Sequence, residues 1–70
     1  MKQLDLHGVV YNDVPLKCHA FINENWGKPM KIITGHSRIM KNIVTRIIKQ
    51  YDLGYHVGGI TGAEGYIRIF

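Results

Sequence analysis

Met30-Lys31-Ile32-Ile33-Thr34-Gly35-His36-Ser37-Arg38-Ile39-Met40-Lys41 changes its hydrophobic period half-way along. Up to Thr34 the residues alternate with the period of a strand: Met30 and Ile32 share one face, Lys31 and Ile33 the other. From Ser37 onward Ile39, Met40, Ile43, Val44, Ile47, Ile48 and Tyr51 recur at three- and four-residue offsets, while Arg38, Lys41, Asn42, Thr45, Arg46 and Lys49 point elsewhere, which predicts an amphipathic helix. Ser37 is placed to cap its start and Gly54 to follow its end. A strand that turns into a helix across Thr34-Gly35-His36-Ser37 is half of a β-α unit.

The flanking sequence repeats and closes the pattern. Lys2 to His7 alternates Leu4 and Leu6 with Gln3, Asp5 and His7, predicting a half-buried strand that Gly8 ends. Asn12 or Asp13 can cap a first helix in which Pro15 is tolerated in the opening turn, and Val14, Cys18, Phe21, Ile22 and Asn25 share one face up to Trp26-Gly27. Tyr55 to Ile60 and Gly65 to Phe70 read as two further strands joined by Thr61-Gly62-Ala63-Glu64. The order β-α-β-α-β-β predicts an α/β (α+β) two-layer sandwich over residues 1–70, one domain. Its four-stranded mixed sheet carries both helices on one face. Right-handed crossovers make the first three strands parallel, and the terminal hairpin adds an antiparallel edge. The alternation leaves Gln3, Asp5, His7, Lys31, Ile33, His56, Tyr66, Arg68 and Phe70 on an open face, because a sheet covered on both sides would not alternate.

With 70 residues there is room for one small core, and a single cysteine, Cys18, allows no internal disulfide. No run of about 20 apolar residues is present to span a bilayer, and the first five residues lack the apolar stretch of a secretory signal, so a cytoplasmic protein is expected. Nine Lys+Arg against five Asp+Glu give a net charge of +4, which favours polyanionic partners.

If the first two strands are neighbours, Asp5-Leu6-His7-Gly8 and Thr34-Gly35-His36-Ser37-Arg38 converge at the end of the sheet where α/β proteins place ligands. Asp5 and His7, two apart on a strand, could form an acid/base pair, although spacing alone favours a surface pair on a polar face. Gly35 allows close backbone approach, and the free N–H groups of the second helix offer a phosphate site. Arg38 and Lys41 add two cations where the helix dipole alone would prefer acids; the alternative is a Ser-capped helix with solvated cations. Neither a Walker sequence nor a GxGxxG is present, and His7, His36 and His56 lack metal-ligand spacing, so no cofactor is expected and a divalent metal has no support from spacing.

Leu4-Asp5-Leu6-His7-Gly8 near the start of such a chain, followed by Ile33-Thr34-Gly35 entering a basic helix, resembles the Smr (small MutS-related) domain. That family is marked by an LDLHG strand end and a later TGxG or HGxG loop. The first motif is matched at all five positions; the second departs at Ser37, where the family usually has its second glycine. The resemblance covers nearly the whole chain, as a compact, stand-alone version. It implies a fold like the C-terminal domain of a bacterial translation initiation factor and a nuclease that nicks DNA or cuts RNA, in some members mRNA on stalled ribosomes. By position it makes Asp5 and His7 the catalytic pair and Thr34, Gly35, His36 and Ser37 the substrate-binding loop.

The expectation is therefore an endonuclease, a phosphodiester hydrolase. Asp5 and His7 would be catalytic, with Gly8, Thr34, Gly35, His36, Ser37, Arg38, Lys41 and Arg68 binding RNA or DNA, in a monomer or homodimer that is ribosome-associated and not membrane-bound. The alternatives are a non-catalytic nucleic-acid or ribosome-binding module, and an interaction protein whose open sheet face docks a partner.

Overall fold

The computed structural model describes residues 1–58 and 65–70. Strands β1 (Lys2–Asp5), β2 (Met30–Ile33), β3 (Tyr55–Val57) and β4 (Tyr66–Ile69) and helices α1 (Val14–Glu24) and α2 (Arg38–Gln50) build the expected α+β two-layer fold. The predicted connection Thr61-Gly62-Ala63-Glu64 and the end of the third predicted strand lie outside the described residues.

The core fills one side of the sheet. Met30, Ile32, Ile67 and Ile69 from the strands meet Val14, Cys18, Phe21 and Ile22 of α1 and Met40, Val44, Ile47 and Ile48 of α2, all buried. Leu6, just past β1, joins them. Ile39 belongs by spacing to the α2 stripe but is 57% exposed; the buried arc starts at Met40, and Ile39 in the first turn lies beyond it. Cys18 is fully buried, and that burial pushes its thiol up to about 11. It packs as a small apolar side chain and is no nucleophile near neutral pH.

The sheet order is β1-β2-β4-β3. β1 and β2 are parallel, and β4 is antiparallel to both β2 and β3, so β1, β2 and β3 share one direction. The expected antiparallel edge is corrected: β4 is interior, and the three-residue β3 is the edge. The reason is apolar content. Ile67 and Ile69 are both fully buried, whereas Tyr55 and Val57 are half-buried, and a short strand is the safer edge.

The helix ends depart from the sequence reading in two places. Asp13 directly precedes α1 but makes no side-chain cap; a 3₁₀ turn over Tyr11–Asp13 engages the first N–H groups instead, and Pro15 has none to satisfy. At the other helix, Ser37 does cap, its Oγ accepting from the Met40 N–H at 3.1 Å. The left-handed residue that ends α2 is Asp52, with φ 57°, and not Gly54. A short polar side chain tolerates that conformation, but glycine fits it better. Asp52→Gly is therefore expected to stabilise the protein by about 0.5–1 kcal/mol in urea unfolding, whereas Asp52→Val should destabilise it. No gain with glycine would show that the cap is not strained.

Candidate functional site

Parallel pairing of β1 with β2 puts Asp5 opposite Ile33, and the ladder runs one residue further, with the Leu6 N–H donating to the Ile33 carbonyl at 2.8 Å. The two chain segments therefore leave the sheet side by side, as anticipated. Leu6 turns into the core, and the Val9 N–H closes a turn onto the Leu6 carbonyl at 3.0 Å. His7 consequently sits in this turn and not on the strand. Asp5 and His7 do not share a pleated face: Asp5 Oδ1 accepts the backbone N–H of His7 at 2.9 Å. The carboxylate fixes the turn that carries the imidazole.

On the β2 side, Gly35 adopts φ 67°, a conformation that favours glycine. The N–H groups of Thr34 and Gly35 both donate to the Gly65 carbonyl, at 2.8 and 3.0 Å, and Thr34 Oγ1 donates to the Gly35 carbonyl at 2.8 Å. A Cβ on Gly65 would lie 3.1 Å from the Gly35 Cα, so this clasp depends on two glycines meeting. The His7 ring passes close to the same loop: a Cβ on Gly35 would lie 3.6 Å from its Cδ2.

An open groove of about 550 Å³ lies between the two segments. Of the sequence-predicted site residues, His7, Gly8, Thr34, Gly35, His36 and Ser37 line it together. Asp5, Arg38, Lys41 and Arg68 lie outside that lining. Asp5 ends β1, Arg38 is an exposed residue opening α2, Lys41 is half-buried one turn further on, and Arg68 stands on the open sheet face between Lys31 and His56. His36 and Lys41 each hold an interaction partner. His56 is on β3, away from the other two histidines, and among the described residues no three metal-ligating side chains gather.

Sequence reasoning missed the apolar part of the groove, which Val9, Val10, Tyr11 and Met40 supply. The signal was present: Val10 and Tyr11 are large apolar residues in a connection, and they remain 63% and 44% exposed. The Tyr11 hydroxyl lies 3.0 Å from Ser37 Oγ. Because that oxygen already accepts from Met40, the Ser37 hydroxyl is free to donate to Tyr11. Among the described residues no carboxylate lines the groove, and it opens at the N-terminus of α2, whose end of the helix dipole favours an anion. Two imidazoles, a hydroxyl pair and unpaired helix N–H groups can bind a phosphate and move a proton beside it.

No family model, curated protein or solved structure matches the chain at a significant level. Ser37→Ala should cost about 1 kcal/mol in chemical denaturation, the usual loss for a removed cap. Tyr11→Phe should cost less than about 0.5 kcal/mol, because the lost bond is exposed. Equal costs would mean that the hydroxyl pair, and not the cap, holds the loop.

Proposed function

We propose that this chain is a nucleic-acid endonuclease of the Smr type, cutting RNA or nicking DNA in the cytoplasm. The observation that carries the reading is the meeting of the two motif segments: His7 of Leu4-Asp5-Leu6-His7-Gly8 and the Thr34-Gly35-His36-Ser37 loop line one groove at a helix N-terminus. The match to the LDLHG motif supports it from the sequence side.

In this reading a backbone phosphate docks on the α2 N-terminus, between Gly35 and Ser37. The apolar wall of Val10 and Tyr11 accommodates the adjoining sugar or base. With RNA, His7 takes the proton from the 2′-hydroxyl as its oxygen attacks phosphorus; the bond to the 5′-oxygen breaks, leaving a 2′,3′-cyclic phosphate. The departing oxygen needs a proton, and His36 on the facing wall is the group to give it. No metal is required for that route. Asp5, bonded to the His7 backbone, acts as a positioning residue. Arg38 and Lys41 raise the positive potential at the helix start. A ribosome-bound message is one substrate that fits, and the chemistry works in a monomer or a homodimer.

One observation favours a second reading, a binding module without catalysis. The carboxylate of Asp5 is spent on the His7 backbone N–H and not on its ring, whereas paired acid/base histidines commonly have their ring oriented by a partner. Both readings keep the groove as the nucleic-acid site.

The test is cleavage of labelled single-stranded RNA and of supercoiled plasmid, with and without chelator. His7→Ala, checked for folding by circular dichroism, should cleave about 100-fold more slowly or worse, in line with the 10²–10⁴ range for a lost acid/base group. Asp5→Asn should lose less. Wild-type cleavage by the alanine variant would overturn the catalytic assignment. Salt-dependent binding with no product from the wild type would establish the second reading.

A further inference from the structure

The sheet register lines up a polar row, with two cations at its centre, outside the groove lining. Gln3, Lys31, Arg68 and His56 are direct neighbours on β1, β2, β4 and β3. Their neighbours along the strands, Met30, Ile32, Ile67 and Ile69, are buried, so this row points out of the open face. At about 4.8 Å between strands, Lys31, Arg68 and His56 span about 10 Å.

Two features set the row apart from scattered surface charge. Lys31 and Arg68 are directly opposite on antiparallel strands, a like-charge placement that works against folding, and no carboxylate among the described residues pairs with either. Lys31 is also held in place: its Nζ lies 4.4 Å from the centroid of the Tyr66 ring. That ring can lie across the sheet only because residue 58 is glycine; a Cβ there would come within 2.4 Å of Tyr66 Cζ. The lysine head therefore stays over the sheet, on the Tyr66 ring.

The row also lies close to the strand ends beyond which the groove's two segments leave the sheet. Asp5, Ile33 and Tyr66 form the next row, one pleat repeat nearer the strand ends from which the groove opens. One pleat repeat is about 6.6 Å along a strand. We propose that Lys31 and Arg68, with His56 at the edge, form a phosphate-binding track for the single-stranded nucleic acid that enters the groove. The track would take the sugar-phosphate backbone flanking the bound phosphate, whatever the base sequence. This rests on the nucleic-acid reading of the groove; charge complementarity and proximity along the same strands to that groove select the occupant over an acidic protein.

The experiment is fluorescence anisotropy with labelled oligo-dT and oligo-rA whose rA sugars are 2′-O-methylated, over a range of salt. The proteins are wild type, Lys31→Gln/Arg68→Gln, and a control at the α2 N-terminus onto which the groove opens, Arg38→Gln. Each lost phosphate contact lowers the slope of log K against log salt by about 0.7, which at 0.1 M salt is about five-fold in affinity. The double variant should therefore bind about 25-fold more weakly, with a slope lower by about 1.4, equally for both oligonucleotides. Because relief of the like-charge pair is part of the argument, Arg68→Gln alone should melt no lower than wild type in free protein. Wild-type affinity and slope in the double variant, with Arg38→Gln weakened, would overturn the track and leave the groove reading standing. No binding by wild type would overturn both.

Discussion

The parallel pairing of β1 with β2 is the contact on which the rest depends. It places Asp5 beside Ile33 and carries the ladder on to Leu6, whose side chain is fully buried. Two chain segments that are about 25 residues apart in sequence must then leave the sheet together, and their polar residues have only the space above the strand ends to occupy. The turn closed by the Val9 N–H on the Leu6 carbonyl takes His7 off the strand, and the Asp5 carboxylate holds that turn. The Asp5 and His7 that the sequence offered as an acid/base pair are thus a support for the turn and an imidazole at the lip of a groove.

The opposite wall is held from the far end of the chain. β4 enters between β2 and β3, and its preceding residue, Gly65, accepts both loop N–H groups of Thr34 and Gly35. The last strand therefore completes the core with Ile67 and Ile69 and fixes the loop that follows β2. This coupling explains why the interior position of β4 matters for the site: an antiparallel strand at the sheet edge could not reach that loop.

Much of this was legible from local pattern. The period change at Thr34-Gly35-His36-Ser37 placed β2, α2 and the Ser37 cap, and alternation separated the buried from the open face of every strand. Convergence of the two motif segments followed from assuming parallel neighbours. What escaped depends on non-local geometry. Strand order was decided by competition between two strands for the interior, which hydrophobic period does not rank. The Gly35–Gly65 clasp and the Tyr11–Ser37 hydroxyl pair join residues about 26 or 30 apart, so no motif contains both partners. Asp52, and not Gly54, ends α2 because the left-handed position falls where the helix geometry runs out, and only the structure fixes that residue.

The charge of +4 also gained a location. Part of it flanks the α2 N-terminus in Arg38 and Lys41, and part forms the Lys31–Arg68 pair on the open face. At the opposite end, Trp26 packs against Tyr51. The most direct test of the account is an amide chemical-shift titration of the ¹⁵N-labelled chain with a 2′-O-methyl RNA oligonucleotide, which cannot be cut. The account predicts shifts concentrated at His7, Gly8, Gly35, His36, Ser37 and Arg38. Shifts confined to the Trp26–Tyr51 end, with those six amides unmoved, would contradict it.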